Sequence, residues 1–159
     1  MIDFLKEDEI FVFGSNIQGR HGAGAAKQAM QWGAIYGKAS GRQGQTYAII
    51  TKDLRDNSFV GWDFVREQLG ILMKYAHVHD DLVFLLTPIG TGLAGQTIED
   101  LEENIKCLYF PDNIIKVWPQ SKINKLKLEE KQEIDWCINN MNPDYTTEIF
   151  KDCMDIFNE

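Results

Sequence analysis

Apolar residues fall in four short runs along the chain, separated by stretches where they recur at helical spacing. The runs Ile10-Phe11-Val12-Phe13, Tyr47-Ala48-Ile49-Ile50, Leu82-Val83-Phe84-Leu85-Leu86 and Ile114-Ile115 are rich in β-branched and aromatic residues and bounded by turn formers, so strands are predicted at about 10–14, 46–51, 82–87 and 114–118. Helices are predicted between them, at about 22–34, 61–76 and 97–109. Phe64, Leu69, Leu72 and Met73 show the helical spacing in the second. Such alternation predicts an α/β fold, a largely parallel sheet with helices on both faces. The segment from Tyr36 to Gln45 reads as a glycine-rich loop without regular structure, either a lid or a plain surface connection.

After Trp118-Pro119 the composition turns acidic and helical. The chain is therefore divided into residues 1–119, which hold the strands and loops, and residues 120–159, a helical extension expected to dock through Trp136, Ile149, Phe150 and Ile156. A length of 159 residues is enough to bury a core without metal or disulfide staples. Cys107, Cys137 and Cys153 show no CxxC spacing, which points to free thiols in a reducing compartment. The acidic N-terminal stretch has no long apolar run, so a cytoplasmic protein is expected.

Charge sharpens this picture. The net charge of −8 argues against a nucleic-acid polymer as partner, because such binding neutralises many phosphates. Between Ile10 and Arg55, however, Arg20, Lys27, Lys38, Arg42, Lys52 and Arg55 face Asp53 alone, so this third carries +5 and the remainder −13. The expected ligand end is locally basic.

Two stretches have the composition of anion-binding loops. Phe11-Val12-Phe13-Gly14-Ser15-Asn16 leads into Arg20-His21-Gly22-Ala23-Gly24-Ala25-Ala26, and Thr87-Pro88-Ile89 leads into Gly90-Thr91-Gly92-Leu93-Ala94-Gly95 before a helix opening near Thr97. Small residues let a ligand approach the backbone, and N–H groups at loop and helix starts favour anions. Loops at the carboxyl ends of strands line the crevice of an open α/β sheet, so the two can face one diphosphate. Gly90 to Gly95 matches G-x-G-x-x-G formally, but it follows the third strand, which fits a nicotinamide dehydrogenase poorly. No P-loop is present. His77-Val78-His79-Asp80-Asp81 reads as a solvated helix end, and Trp32, Trp62, Trp118 and Trp136 read as packing residues.

Taken together, these residues resemble the macrodomain family, whose members bind ADP-ribose between two loops. The resemblance covers roughly residues 10–118 and implies a three-layer α/β/α fold. It implies that Asn16 meets the distal ribose and that His21, Gly22, Ala23, Gly24 and Ala25 close one side of the ligand. Gly90, Thr91, Gly92, Leu93, Ala94 and Gly95 would cradle the diphosphate. Asn16 also has the type of a turn former. Within the family the motifs are most similar to the branch that releases ADP-ribose from carboxylate side chains with a lysine nucleophile, and to small macrodomain-like proteins encoded by bacteriophages. Lys52, in Thr51-Lys52, would then be the catalytic amine. It has the type of a phosphate-contacting or surface lysine as well.

The chain departs from that branch at two points: Ala94 stands where it has a catalytic aspartate, and Ala23 stands where other hydrolytic macrodomains have one. Asp53 and Asp63 are the candidate replacements. The resemblance thus implies binding of ADP-ribose or a related NAD-derived nucleotide, with hydrolysis of ADP-ribosyl groups on proteins as a possible activity. The alternatives are a non-catalytic reader or sequestering protein and a phosphatase of ADP-ribose 1″-phosphate. The expected partner is ADP-ribose or an ADP-ribosylated protein; no membrane, metal or cofactor is expected.

Overall fold

A computed structural model of the chain describes residues 2–118. The expected helical extension of residues 120–159, with Trp136, Ile149, Phe150 and Ile156, lies outside the described residues.

Six strands form one sheet: β1 (Glu9–Asn16), β2 (Gly41–Gln43), β3 (Thr46–Asp53), β4 (Ser58–Phe59), β5 (Val83–Leu86) and β6 (Ile114–Lys116). Three helices join them, α1 (Gly24–Ala29), α2 (Trp62–Val78) and α3 (Ile98–Ile105). The order across the sheet is β2-β3-β1-β5-β6, with β4 also paired to β3. The β1–β3, β1–β5 and β5–β6 pairs are parallel, and only the short β2 and β4 run antiparallel to β3. The expected α/β class with a largely parallel sheet is therefore what this sequence forms.

Alternation along β1 explains how both faces are covered. Phe11 and Phe13 point to one side, where they pack with Ala26 and Ala29 of α1, Ala48 of β3 and, less deeply, Trp32. Ile10 and Val12, fully buried, point to the other side. On that side Tyr75 of α2 meets Tyr47 on β3 and Phe84 on β5, so the helix spans the strand between them. α3 joins the same layer, where Arg66 of α2 donates to Asn104 of α3 at 2.8 Å. Each large apolar side chain fully buried in these layers contributes about 1.5–3 kcal/mol relative to exposure.

Local chemistry sets the element ends. Thr97 caps α3 with a reciprocal box: its hydroxyl accepts from the Asp100 N–H, and the Asp100 carboxylate accepts from the Thr97 N–H. α1 is shorter than expected, because the chain tightens into a 3-10 turn over Met30–Trp32 and stops at Gly33, whose φ of 103° suits glycine. The expected irregular loop from Tyr36 to Gln45 is corrected by β2, which pairs with Thr46 to Ala48. Non-local pairing overrides the weak strand propensity of Gly41-Arg42-Gln43.

β2 covers Thr46 to Ala48 and β4 covers Lys52 and Asp53, leaving Ile49, Ile50 and Thr51 between them, with a gap at Ile50. The Gln68 amide fills that gap, accepting from the Ile50 N–H at 2.7 Å and donating to the Ile50 carbonyl at 2.8 Å.

Candidate functional site

The order of connections places a crevice at one point of the sheet. From β1 the chain moves to β3 on one side, whereas from β5 it moves to β6 on the other, so the loops after β1 and β5 diverge from adjacent strands. Ligands of open α/β sheets bind at such a switch point, beyond the carboxyl ends of the strands. A cavity of about 610 Å³ lies there, walled by the β1–α1 loop, the end of β3 and the β5–α3 loop. Asn16, Gly22, Ala23, Gly24, Ala25 and Lys52 line it from the first two. Gly90, Thr91, Gly92, Leu93 and Ala94 line it from the third. Two of the expected site residues, His21 and Gly95, do not line it.

Asn16 and Lys52 come together through strand register. The β1–β3 ladder runs in step to Ser15, then a bulge skips one residue so that Asn16 opposes Lys52. Such a bulge re-aims the flanking side chains. Lys52 extends across the cavity, and its Nζ donates to the Leu93 carbonyl at 2.8 Å, tying the end of β3 to the second loop. Asn16 takes the turn role that its type suggests: its Nδ2 donates to the Arg20 carbonyl at 2.7 Å, and its Oδ1 accepts from the Arg20 N–H at 2.9 Å. One N–H and one lone pair remain on that side chain for a ligand.

The first loop is fixed by close backbone packing. Gly19, at φ 65°, donates to the Asn16 carbonyl at 2.9 Å, and its carbonyl accepts from the Gly37 N–H at 2.8 Å. A Cβ on Gly19 would stand 2.6 Å from the Gly37 carbonyl carbon, so only glycine fits. His21 is 1 % exposed, set edge-on to Phe13 with centroids 5.3 Å apart. Its Nε2 lies 3.2 Å from Ser15 Oγ. Burial lowers the pKa of His21 and favours the neutral ring. Read as a loop residue, this histidine gave no sign of being interior; a polar ring that folds back on the strand before it has no periodic signature.

The second loop is held by its own backbone. Thr91 N–H donates to the Pro88 carbonyl at 3.3 Å, Gly95 N–H to the Gly92 carbonyl at 3.0 Å and Gln96 N–H to the Gly90 carbonyl at 3.0 Å. Gly95 N–H, expected to hold a diphosphate, is thus already engaged within the turn. The N–H groups of Gly92 and Leu93 have no partner among the described residues. Above Gly92 there is open space, and Leu93 is 68 % exposed.

The electrostatics of the cavity are one-sided. Arg20 and Lys52 line it, and no Asp, Glu or His does so among the described residues. The candidate acids point elsewhere. Asp53 accepts from Arg55 at 2.6 Å and from Gln18 at 2.7 Å, and the Arg55 guanidinium above all holds its carboxyl well below the usual carboxylate range. A carboxylate so held stays ionised and is no proton donor. Asp63 pairs with Arg66 on the exposed first turn of α2. Of the other basic residues in the first third of the chain, Arg55 is bound to Asp53, and Arg42 lies at β2, donating to the Tyr75 hydroxyl at 3.3 Å.

Trp32 packs on Phe11, Trp62 on Phe59, and Trp118 is buried with its Nε1 donating to Glu102, so the described tryptophans serve packing. No helix among the described residues is long and apolar enough to cross a membrane.

No model of a known protein family matches this chain, and no curated protein matches it. Among solved structures, the chain is similar to a protein of unknown function from Bacteroides thetaiotaomicron, with 16% sequence identity and a TM-score of 0.45, over 69% of this chain and 88% of that one.

Proposed function

We propose that this protein binds ADP-ribose, or a closely related NAD-derived nucleotide, in the cavity between the β1–α1 and β5–α3 loops, in the manner of a macrodomain. One observation carries the reading: the two small-residue loops, 70 residues apart in sequence, wall one cavity that offers two cations and no carboxylate among the described residues. A diphosphate suits such a cavity, because the Gly92 and Leu93 N–H groups and the charges of Arg20 and Lys52 supply donors that water would otherwise supply. The distal ribose would meet the free N–H and lone pair of Asn16. Titration calorimetry with ADP-ribose tests this: saturable micromolar binding is expected, and a wild-type protein that takes up no ADP-ribose refutes it.

The absence of a cavity carboxylate among the described residues favours a reader or sequestering protein over an acid-dependent hydrolase. The position of Lys52 supports a second reading, release of ADP-ribose from carboxylate esters. In that reaction the neutral Lys52 amine attacks the anomeric carbon; the Nζ–C bond forms as the C–O bond to the esterified side chain breaks, and that side chain leaves as a carboxylate with the electron pair. A carboxylate leaves without prior protonation, so this step needs no cavity acid. Water then displaces Lys52 from the sugar. An assay of ADP-ribose release from a glutamate-modified protein decides between the readings: turnover lost in Lys52→Ala supports the hydrolase, and no turnover by the wild type leaves the reader.

A further inference from the structure

Among the described residues, His21 Nδ1 is the buried side-chain nitrogen or oxygen that has no hydrogen-bond partner. The neutral ring carries one proton, on either nitrogen. Placed on Nδ1, it would be an N–H with no acceptor inside the protein, and orphaned buried donors are rarer than under-satisfied acceptors. That favours the tautomer with the proton on Nε2, which would donate to Ser15 Oγ, 3.2 Å away. The Ser15 hydroxyl then has a proton of its own to place. Its acceptor within the protein is the Asn16 carbonyl at 3.5 Å, the outer limit of a hydrogen bond. Ser15 is the last residue of β1 before the bulge, and it lines the cavity between the two loops.

We infer that the Ser15 hydroxyl is a ligand-binding donor, turned toward an oxyanion in the cavity by the Nε2–H of His21, which acts as a positioning residue. The inference rests on the nucleotide-binding reading above and extends it to a group that lies beneath the loops. The opposite tautomer gives the pair a different chemistry: Nε2 would accept the serine proton, and Ser15 would be held away from any anion.

Two measurements on the full chain test this. Nitrogen-15 NMR of the histidine rings reads the tautomer directly; the expected result is a His21 ring protonated at Nε2 and bare at Nδ1. Calorimetry reads the donor: Ser15→Ala should weaken ADP-ribose binding about tenfold, the loss of one hydrogen bond to a charged group. His21→Ala should weaken it similarly, and the double variant should be little worse than either alone, since both remove one interaction. His21→Gln, whose amide offers an N–H near the place of Nε2, should restore binding to within about threefold of the wild type. Near-UV circular dichroism checks that each variant is folded, and if His21→Ala is not, Ser15→Ala and His21→Gln carry the test. A ring protonated at Nδ1, or Ser15→Ala binding as tightly as the wild type, overturns the inference while leaving the nucleotide site standing. A wild type that binds neither ADP-ribose nor inorganic pyrophosphate removes both.

Discussion

The two loops that wall the cavity are built in opposite ways. The β1–α1 loop is fixed from below by side chains: Asn16 clamps Arg20 from both ends of its amide, and His21 is buried on Phe13. Its glycine at position 19 packs against the Gly37 backbone. The β5–α3 loop is fixed by backbone bonds within itself and leaves Gly92 and Leu93 open to the cavity. One loop brings side chains on a fixed frame, and the other offers free backbone donors. Preorganised shape lowers the ordering cost of binding, whereas free N–H groups supply the attraction, so damage to each should be read out differently.

The sharpest separation comes from Gly92→Glu. A side chain there meets open space and an ordinary backbone conformation, so stability should change by no more than about 0.5 kcal/mol in urea unfolding. ADP-ribose binding should vanish in calorimetry, because the carboxylate fills and repels the anion site. Gly19→Ala should do the reverse. The new Cβ meets the Gly37 backbone at 2.6 Å in a left-handed conformation, and unfolding should cost about 2 kcal/mol less than in the wild type. If Gly19→Ala is as stable as the wild type, the first loop is not the rigid partner described.

Asn16→Ala removes both bonds to Arg20 and leaves that backbone unpartnered, for a loss of about 1–2 kcal/mol by the same urea measurement. Lys52→Gln tests the strap between the regions. Its bond to the Leu93 carbonyl is exposed, so binding should weaken about fivefold at low salt and less as salt rises. A loss that ignores salt would argue against a charge contact with the ligand.

The smallest effect is one of pH. Asp53 has a depressed pKa when folded, chiefly through Arg55, so its contribution is present above its unfolded pKa of about 4 and fades as pH falls below that value. Asp56 and Asp100, also lowered by their hydrogen bonds, act in the same direction, so thermal unfolding of Asp53→Asn should show a shallower acid-side slope below about pH 4 than the wild type shows.

What could be read from the chain follows from locality. The run Ile10-Phe11-Val12-Phe13 alternates between two buried faces, and the small residues after it suit a loop and a tight helix start, so strand and loop were legible. The turn residues before Thr97 announced the start of α3, whereas the box it forms with Asp100 appears in the structure. The short β2 and β4 were not legible, because they exist by pairing to β3 and have little propensity of their own. Nor was the fit of Gly19 against Gly37, which depends on two turns meeting in space. Asp53 and Asp63 looked interchangeable as acids in the sequence, and only the position of Arg55 and Gln18, against the solvent around Asp63, separates them.

The Gln68 amide in the gap beside Ile50 bears on how this protein behaves when crowded with copies of itself. Strand addition between molecules needs a run of unpaired N–H and C=O groups on a sheet margin. At Ile50 both groups are met by one glutamine, with β2 and β4 on either side, so the outer flank of β3 presents no frame on which a foreign strand could zip. A helix side chain here performs the guarding task that many sheets give to a lysine or a proline at their margin.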